Sequence, residues 1–397
     1  QHLLPPRPSR SRITVLLLAL WIITPIVHAA PSTELPQEFY TVLENSIGRF
    51  AIVDKATGQM RIGSVSAAST ASFAAPFRSH QPDVTAITSG FLAAGTEQIA
   101  LSSITSNRIL FAPVNATPTT VFFPREPGPD GVALIRESNV TPHRLLLNSV
   151  YGSDALHSLE MTTGTNLGTP AFNDDVGNLP DVRSLQPHYL NAASRREGLS
   201  VWYTAGSPSL LTLYDNGGVI SGLNVGTLPA DTRLATNVRN IIGNFMAVGF
   251  VPGSKTLSLI TINTGATPWQ PVAPFPTFDL GFEVGSIAAA TGLGGAPHGI
   301  LITSNDGTQA AFGQINNTGT LVSILQNFTN TPSLVINGLL PVPGRGIIRL
   351  EGKPGNPSTS FIFDGWNGGS WATKDAGALP GVLPAQTEFA SVLWYDA

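Results

Sequence analysis

Three features of the sequence predict an all-β fold built from repeated sheets. Only 12% of the residues are charged, while the 397-residue chain contains 40 Gly and 32 Pro. Long amphipathic helices need charged residues on their solvent-facing side, so this composition favours short strands and turns. Short apolar strands recur along the whole chain. A regular recurrence of strands at this spacing is typical of the blades of a β-propeller.

The recurring strand predicts the number of repeats. Its second apolar position is occupied in turn by Ala51, Ile99, Leu145, Leu199, Leu257, Ile300 and Ile347. The mean spacing of roughly 50 residues lies in the range of propeller blades. A single four-stranded sheet cannot bury both of its faces, whereas radial packing of several sheets covers them and leaves only short edges. We therefore predict a seven-bladed β-propeller over residues 46–397.

Within most repeats the strand continues into a hairpin. A second apolar segment follows a polar turn, as in VDKATGQMRIGSV and ITSNDGTQAAFGQI. Gly, Asn, Asp and Ser between two alternating segments are the signature of a β-hairpin. Closure of a propeller ring usually brings both chain ends into one blade. We expect residues 37–46 or 388–397 to supply that closing strand.

The repeats resemble those of a known family. The pattern is an apolar residue and glycine, followed by a turn of small residues and then a strand like IAL. It resembles the FG-GAP (VCBS-type) repeats of integrin-α-like seven-bladed propellers. The similarity is clearest at 87–114, 241–263, 284–304 and 335–363. It implies the propeller fold and a role in adhesion. The calcium loop of the family, Asp-x-Asp-x-Asp-Gly, is absent from all seven repeats, so no cofactor is predicted.

One short segment could nevertheless bind calcium. Asn173, Asp174 and Asp175 lie just before Gly177, and hard cations take carboxylate and amide oxygens on tight loops. A solvated turn between strands explains the same residues. The segment is therefore a weak metal candidate, and calcium has no support from a motif.

The N-terminus predicts export. Residues 1–30 have the layout of a secretory signal peptide, with three arginines before an apolar run that ends in small residues. We expect cleavage after Ala29 or Ala30, and an uncleaved anchor through residues 13–27 is the alternative. Residues 31–45 would then form an N-terminal segment or the closing strand. The predicted location is extracellular, with no membrane span after signal removal.

Composition narrows the chemistry and the partners. The chain contains no cysteine, which excludes a thiol nucleophile, a cysteine zinc site and disulfides. Its formal net charge of −4 argues against nucleic acid, whose binding needs clustered Lys and Arg. Acceptor sequons predict N-glycosylation of an exported chain. They lie at Asn115, Asn139, Asn316 and Asn327.

No catalytic motif is visible in the sequence. A Gly-x-Ser-x-Gly elbow and a Walker-type loop are both absent, and the histidines lack the spacing of metal ligands. The acid-containing turns at 214–218 and 304–308 fit hairpin turns. We therefore predict no catalytic residue and no metal ligand.

The most specific functional feature is an aromatic loop. DGWNGGSW, residues 364–371, places Trp366 and Trp371 beside Asn367 and Asp364. Sugar rings stack on exposed aromatic faces while polar groups bind hydroxyls, so these four residues could form a carbohydrate platform. Packing of both Trp side chains between blades is the alternative.

These observations leave three functional hypotheses. The first is a secreted module that binds a polysaccharide or a protein and mediates adhesion. The second is a secreted hydrolase or lyase acting on glycans, with dispersed acids at the rim of the central channel. The third is a structural domain of a larger surface assembly. Propellers serve both binding and catalysis, so the predicted fold does not decide between them.

Overall fold

The computed structural model consists of β-strands and turns in the part of the chain that it describes. It describes residues 38–43, 47–78, 83–93 and 96–113, the strands between residues 120 and 224, and residues 228–381 apart from 230–231, 264 and 266–269. Within each sheet the strands pair antiparallel, and their main path follows chain order. The predicted all-β propeller class is confirmed.

The strands follow one another sheet by sheet in chain order. The N-terminal half contains β1 (Glu38–Leu43), β2 (Arg49–Asp54), β3 (Gln59–Val65), β4 (Ala71–Phe73) and β5 (Phe77–Arg78); β6 (Ala86–Ala93), β7 (Thr96–Ser103), β8 (Arg108–Pro113) and β9 (Thr120–Phe122); and β10 (Pro129–Ile135), β11 (Leu145–Val150), β12 (Leu156–Glu160) and β13 (Ala171–Asn173). Next come β14 (Val182–Asn191), β15 (Arg196–Ala205), β16 (Ser207–Tyr214) and β17 (Ile220–Asn224); and β18 (Arg233–Arg239), β19 (Phe245–Phe250), β20 (Thr256–Asn263), β21 (Gln270–Val272) and β22 (Thr277–Asp279). The last sheets contain β23 (Val284–Ala290), β24 (Gly299–Ser304), β25 (Ala310–Ile315) and β26 (Val322–Phe328); and β27 (Val335–Val342), β28 (Gly346–Gly352), β29 (Ser358–Trp366) and β30 (Trp371–Ala378).

The predicted count of seven blades is corrected by the sheet topology. The structure has five regular four-stranded blades: β6–β9, β10–β13, β14–β17, β23–β26 and β27–β30. The β1–β5 and β18–β22 sheets depart from this pattern because each has five strands. In both, two short strands share the outer edge of the third strand. For example, Gly63–Val65 of β3 pair with β4, while Gln59 and Met60 pair with β5. The repeat count was based on one strand per unit. It therefore gave no information about a third strand whose outer edge pairs with two short strands, which we call a divided edge.

The sheets pack around a closed ring. The first strand of each sheet contacts the first strand of the next sheet, and β27 contacts β1. Apolar side chains from facing sheets fill the space between them, as expected for strands that are buried on both faces. Between the β18–β22 and β23–β26 sheets, for example, Met246 and Leu259 pack with Ile300 and Ile302. The core therefore lies between blades.

Among the described residues, no strand is exchanged between the first and last sheets. Residues 38–43 form β1, which pairs with β2 inside its own sheet, and the β27–β30 sheet is built from consecutive strands. The other proposed closing segment, residues 388–397, lies outside the described residues. The predicted boundaries at residues 30 and 45 remain predictions. In the part of the chain that the structure describes, no helix is long and apolar enough to span a bilayer.

We call the contact between the β1–β5 and β27–β30 sheets the seam. Its apolar core consists of Phe50, Ile52, Val65, Leu340, Val342, Ile348, Leu350, Phe361, Phe363 and Leu379. The Phe73 ring lies 4.7 Å from that of Phe361 across the seam. At the outer strands, the backbone N–H of Ala71 donates to a carboxylate oxygen of Asp375 at 2.7 Å. Side-chain packing and a few hydrogen bonds therefore hold the ring closed.

Truncation of the seam should destabilise the whole propeller. We expect Phe361→Ala to lower the free energy of unfolding by about 3–5 kcal/mol, because it removes a buried ring and leaves a cavity. The exposed Thr359→Ala on the same strand should change it by less than about 0.5 kcal/mol. Urea unfolding monitored by Trp fluorescence measures both. Equal stability of the two variants would contradict a seam held by packing.

Candidate functional site

The loops at one end of the ring carry exposed apolar side chains. In an antiparallel sheet of consecutive strands, the loops from first to second strand and from third to fourth strand leave at the same end. We call this end the isoleucine face. Its described loops are 47–48 and 66–70 of the β1–β5 sheet, 240–244 of the β18–β22 sheet, 291–298 and 316–321 of the β23–β26 sheet, and 343–345 and 367–370 of the β27–β30 sheet.

Hydrogen bonds connect these loops from one sheet to the next. Between the β18–β22 and β23–β26 sheets, the N–H of Ile241 donates to the Ile315 carbonyl at 3.0 Å, and Asn240 Nδ2 donates to the Asn317 carbonyl at 3.1 Å. The N–H of Gly344 in the β27–β30 sheet donates to the Gly292 carbonyl of the β23–β26 sheet at 2.7 Å. Arg345 Nε donates to the Val65 carbonyl of the β1–β5 sheet at 3.1 Å. These bonds run from the β18–β22 sheet through to the β1–β5 sheet. The loops are therefore fixed relative to one another on a single face.

The isoleucine face exposes large apolar side chains. Ile47 is 69% exposed, Ile242 63% and Ile241 48%. Ile241 and Ile242 precede Gly243, whose φ of +87° lies in the region that favours glycine and turns the chain sharply. Among the described residues, the loops at the opposite end of the ring contain no exposed large apolar side chain. Apolar exposure therefore distinguishes the two ends.

Two basic side chains lie beside the loop 240–244, which we call the isoleucine loop. Arg239 is the last residue of β18, and its guanidinium carbon lies 4.2 Å from the centre of the Phe245 ring, a cation–π contact. His298 immediately precedes β24 in the neighbouring sheet. Arg239 Nε and His298 Nδ1 are both buried and have no hydrogen-bond partner. Two buried nitrogen atoms are thus left without a hydrogen-bond partner.

The local environment keeps His298 from taking up a proton. Burial lowers the pKa of His298, and the positive charge of Arg239 lowers it further. Both effects disfavour the imidazolium form. The described loops of the isoleucine face contain no Asp or Glu. By contrast, Asp279, Glu283 and Asp306 belong to loops or strand ends at the opposite end of the ring.

The aromatic loop predicted as a carbohydrate platform lies on the same face. Asn367 shapes its tip, because the side-chain oxygen accepts hydrogen bonds from the N–H groups of Gly369 at 3.1 Å and Ser370 at 2.8 Å. Gly368 has a φ of +96°, which a side chain would strain. Asn367 and Ser370 are exposed. The loop is therefore a tight, polar hairpin tip.

The two Trp side chains of this loop differ in exposure. Trp371 is only 4% exposed, and its backbone N–H donates to Gln326 Oε1 of the neighbouring sheet at 2.7 Å. Trp366 is half-buried, with its ring 5.2 Å from that of Trp371 in an edge-to-face arrangement. Phe312 packs edge-on against both. Trp371 thus packs between blades, whereas Trp366 retains a solvent-accessible part.

Asp364 is engaged inside the blade. It is 2% exposed and forms an ion pair with Arg349, with Nε and Oδ2 2.5 Å apart. Thr373 Oγ1 donates to the other carboxylate oxygen at 3.0 Å. Arg349 also donates to the carbonyl of Thr329 at 2.8 Å. Of the four predicted ligand-binding residues, Trp366 and Asn367 are therefore the two with accessible surface, and their binding role remains a prediction.

The other predicted sites are described only in part. Asn316 is half-buried, and its side-chain oxygen accepts a hydrogen bond from the Thr320 N–H at 2.8 Å. Asn327 is exposed on the outer strand β26. Asn115, Asn139, Asp174 and Asp175 lie outside the described residues, and Asn173 is described only as the end of β13. Among the residues described, no group of three or more His, Cys, Asp or Glu side chains could hold a metal ion.

Sequence reasoning missed the isoleucine face. The signal was present in NIIGN, residues 240–244, where two consecutive Ile residues stand in a turn that should be polar. Arg239 and His298 carry no such signal, because they are 59 residues apart in sequence and belong to neighbouring sheets.

Comparison with known proteins shows the fold alone. No protein-family model matches the chain, and no curated protein matches its sequence. The structure is similar to the Cps50 (Swd1) β-propeller domain of Myceliophteria thermophila, with a TM-score of 0.55 and 11% identity over 81% of this chain and 94% of that one. It is also similar to a protein from Lactobacillus plantarum, with a TM-score of 0.53 and 12% identity over 83% and 96% of the two chains. A third similar structure is BBS1N in complex with ARL6DN, with a TM-score of 0.52 and 10% identity over 81% and 90%.

The pKa of His298 should respond to Arg239. In an NMR titration of the imidazole we expect a pKa below the ordinary value of 6.5, and Arg239→Gln should raise it because the repulsive charge is removed. Since the unfolded chain then takes up this proton more readily than the folded one, the His298 contribution to stability falls as the pH decreases below about 6.5. Arg233→Gln, at the other end of β18, is the control and should leave the pKa unchanged. A wild-type pKa at or above the ordinary value would refute this account.

The Arg349–Asp364 pair should be structural. We expect Asp364→Ala to lower the free energy of unfolding by about 3–5 kcal/mol, because it leaves a buried guanidinium without its counter-charge. The double variant Arg349→Met/Asp364→Leu should recover much of this loss, since neither charge is then buried alone. Urea unfolding distinguishes the variants. A fully stable Asp364→Ala protein would show that the carboxylate is not needed inside the blade.

Proposed function

We propose that the protein is a secreted binding or adhesion module that recognises a polysaccharide or protein ligand without catalysing a reaction. The observation that carries the proposal is the partly exposed Trp366 on the isoleucine face, next to the exposed polar residues Asn367 and Ser370 of a loop shaped by hydrogen bonds. Exposed apolar patches with a polar rim are typical of interaction sites. The described loops of this face contain no carboxylate, which favours binding over acid–base chemistry.

The secretory signal over residues 1–30 and the FG-GAP/VCBS-type repeats belong to the same proposal. An exported chain would receive N-glycans on exposed sequons. Asn327 meets that requirement, because it is exposed on an outer strand. We propose no bound cofactor and no nucleic-acid partner, and uncleaved anchoring through residues 13–27 is the alternative location.

A glycan-active hydrolase is the alternative function. It would need two carboxyl groups about 5–10 Å apart. Several described acids are already engaged: Asp364 pairs with Arg349, Asp306 accepts hydrogen bonds from Ser304 and Thr308, and Glu351 is fully buried. These contacts favour the binding hypothesis over hydrolysis.

A glycan array tests the proposal. We expect the full-length protein to bind a defined set of glycans, and Trp366→Ala to weaken the best of them about tenfold, as loss of one stacking contact of about 1.4 kcal/mol would. Trp371→Phe, which keeps the buried ring, is the control and should bind like wild type. Cleavage of the bound glycan, detected by mass spectrometry, would instead support the hydrolase. Absence of both binding and cleavage would contradict glycan recognition.

A further inference from the structure

The exposed isoleucines form two separate apolar points on one face, and Leu321, 47% exposed, lies on a loop of the β23–β26 sheet between them. Ile47 belongs to the β1–β5 sheet, and Ile241 and Ile242 belong to the β18–β22 sheet. The β23–β26 and β27–β30 sheets lie between them along the ring. A single compact pocket would not reach both points. The partner that contacts them together must therefore be extended and roughly flat.

The fold does not require these side chains to be exposed. Leu293 occupies the corresponding first-to-second-strand loop of the β23–β26 sheet, and it is only 1% exposed within the core between blades. The same type of loop can thus bury an apolar residue. The exposed side chains of Ile47, Ile241 and Ile242 are thus available to a partner that covers apolar surface.

Arginine side chains lie near both points. Arg239 lies beside the isoleucine loop, and burial together with the charge of Arg239 lowers the pKa of the neighbouring His298. Arg345 and Arg49 are half-buried in or beside the loops next to Ile47. The described loops of the face contain no Asp or Glu. Charge complementarity therefore favours an anionic partner.

We propose that the isoleucine face docks on an anionic phospholipid bilayer. In this arrangement Ile47, Ile241 and Ile242 enter the boundary between headgroups and acyl chains, and Arg239 provides positive charge for the anionic headgroups. Exposed apolar side chains combined with basic ones are the usual chemistry of interfacial membrane binding. This interaction goes beyond the proposed ligand binding and is independent of the stacking surface of Trp366.

A bilayer fits these observations better than an acidic protein or polysaccharide. A lipid surface accepts apolar points at any separation, because lipids rearrange around each of them. A protein partner would need a matching pocket for each of two distant loops. A polysaccharide would favour aromatic stacking platforms over isolated aliphatic tips. The separation of the isoleucines therefore favours lipid.

The absence of cysteine allows a site-specific test. Ile242→Cys and Leu325→Cys, each labelled once with the fluorophore NBD, place a polarity sensor on the isoleucine face and on the outer strand β26. Leu325 is the matched control, because it is 51% exposed but lies outside the loops of the face. Both full-length proteins are mixed with vesicles of equal parts phosphatidylcholine and phosphatidylglycerol, or of phosphatidylcholine alone. Unchanged thermal unfolding confirms that the labelled variants are folded.

We expect NBD emission at position 242 to rise and shift to shorter wavelength with the anionic vesicles only, and emission at 325 to stay constant. Adding Arg239→Gln should lower the partition coefficient about fivefold, as loss of about 1 kcal/mol per basic residue predicts. Arg233→Gln, at the far end of β18, should leave it unchanged. Both labels are placed in the same full-length chain. Membrane binding through the apolar N-terminal segment alone would therefore not give a response at position 242 that is absent at position 325.

Three outcomes would overturn the proposal. They are no change at position 242, an equal change at 325, and equal responses to the anionic and the zwitterionic vesicles. An acidic protein or polysaccharide as the true partner would give the first outcome. Because Trp366 is not labelled or altered, a negative result here leaves the glycan-array result to decide the proposed function separately.

Discussion

Closure of the ring depends on the seam between the first and last sheets. In the part of the chain that the structure describes, each of these sheets is built from consecutive strands, and no strand ladder joins the N-terminal and C-terminal parts of the propeller. The packing of Phe73 on Phe361 and the bond from Ala71 to Asp375 must offset the entropy lost when two distant parts of the chain meet. That loss grows only with the logarithm of the intervening length. A modest apolar interface can therefore close a ring of this size.

The seam also controls the isoleucine face. Arg345 reaches from the last sheet to the Val65 carbonyl of the first sheet, directly beside the loop that carries Ile47. Opening the seam would release this loop from its neighbours, while Ile241 and Ile242 would stay fixed by their own bonds to the β23–β26 sheet. Stability at the seam and the geometry of the exposed face are thus coupled. A core substitution there would change surface properties without touching a surface residue.

The sequence was sufficient for the fold class, because strand periodicity and turn composition are local properties. Ile99, Ile300 and Ile347 are fully buried, as expected for reference positions of a repeated strand. The divided edges of β3 and β20 were not predictable in this way, since β5 and β22 are short segments whose pairing depends on tertiary context. The aromatic loop was found from its sequence, but the unequal burial of Trp366 and Trp371 depends on Phe312 and Gln326 of another sheet.

Arg349 and Asp364 illustrate why sequence suggested a ligand site where the structure has an ion pair. In DGWNGGSW the composition assigns the acid to the loop, yet β29 continues through Trp366 and places Asp364 within the strand, opposite Ile347 of β28. Arg349 lies two residues further along β28, on the same side of the sheet. The carboxylate therefore neutralises a charge inside the blade, while the basic residues at the isoleucine face keep no acidic counterpart in the described loops. Among the described residues, this unequal distribution of counter-charges, rather than net charge, distinguishes the two ends of the propeller.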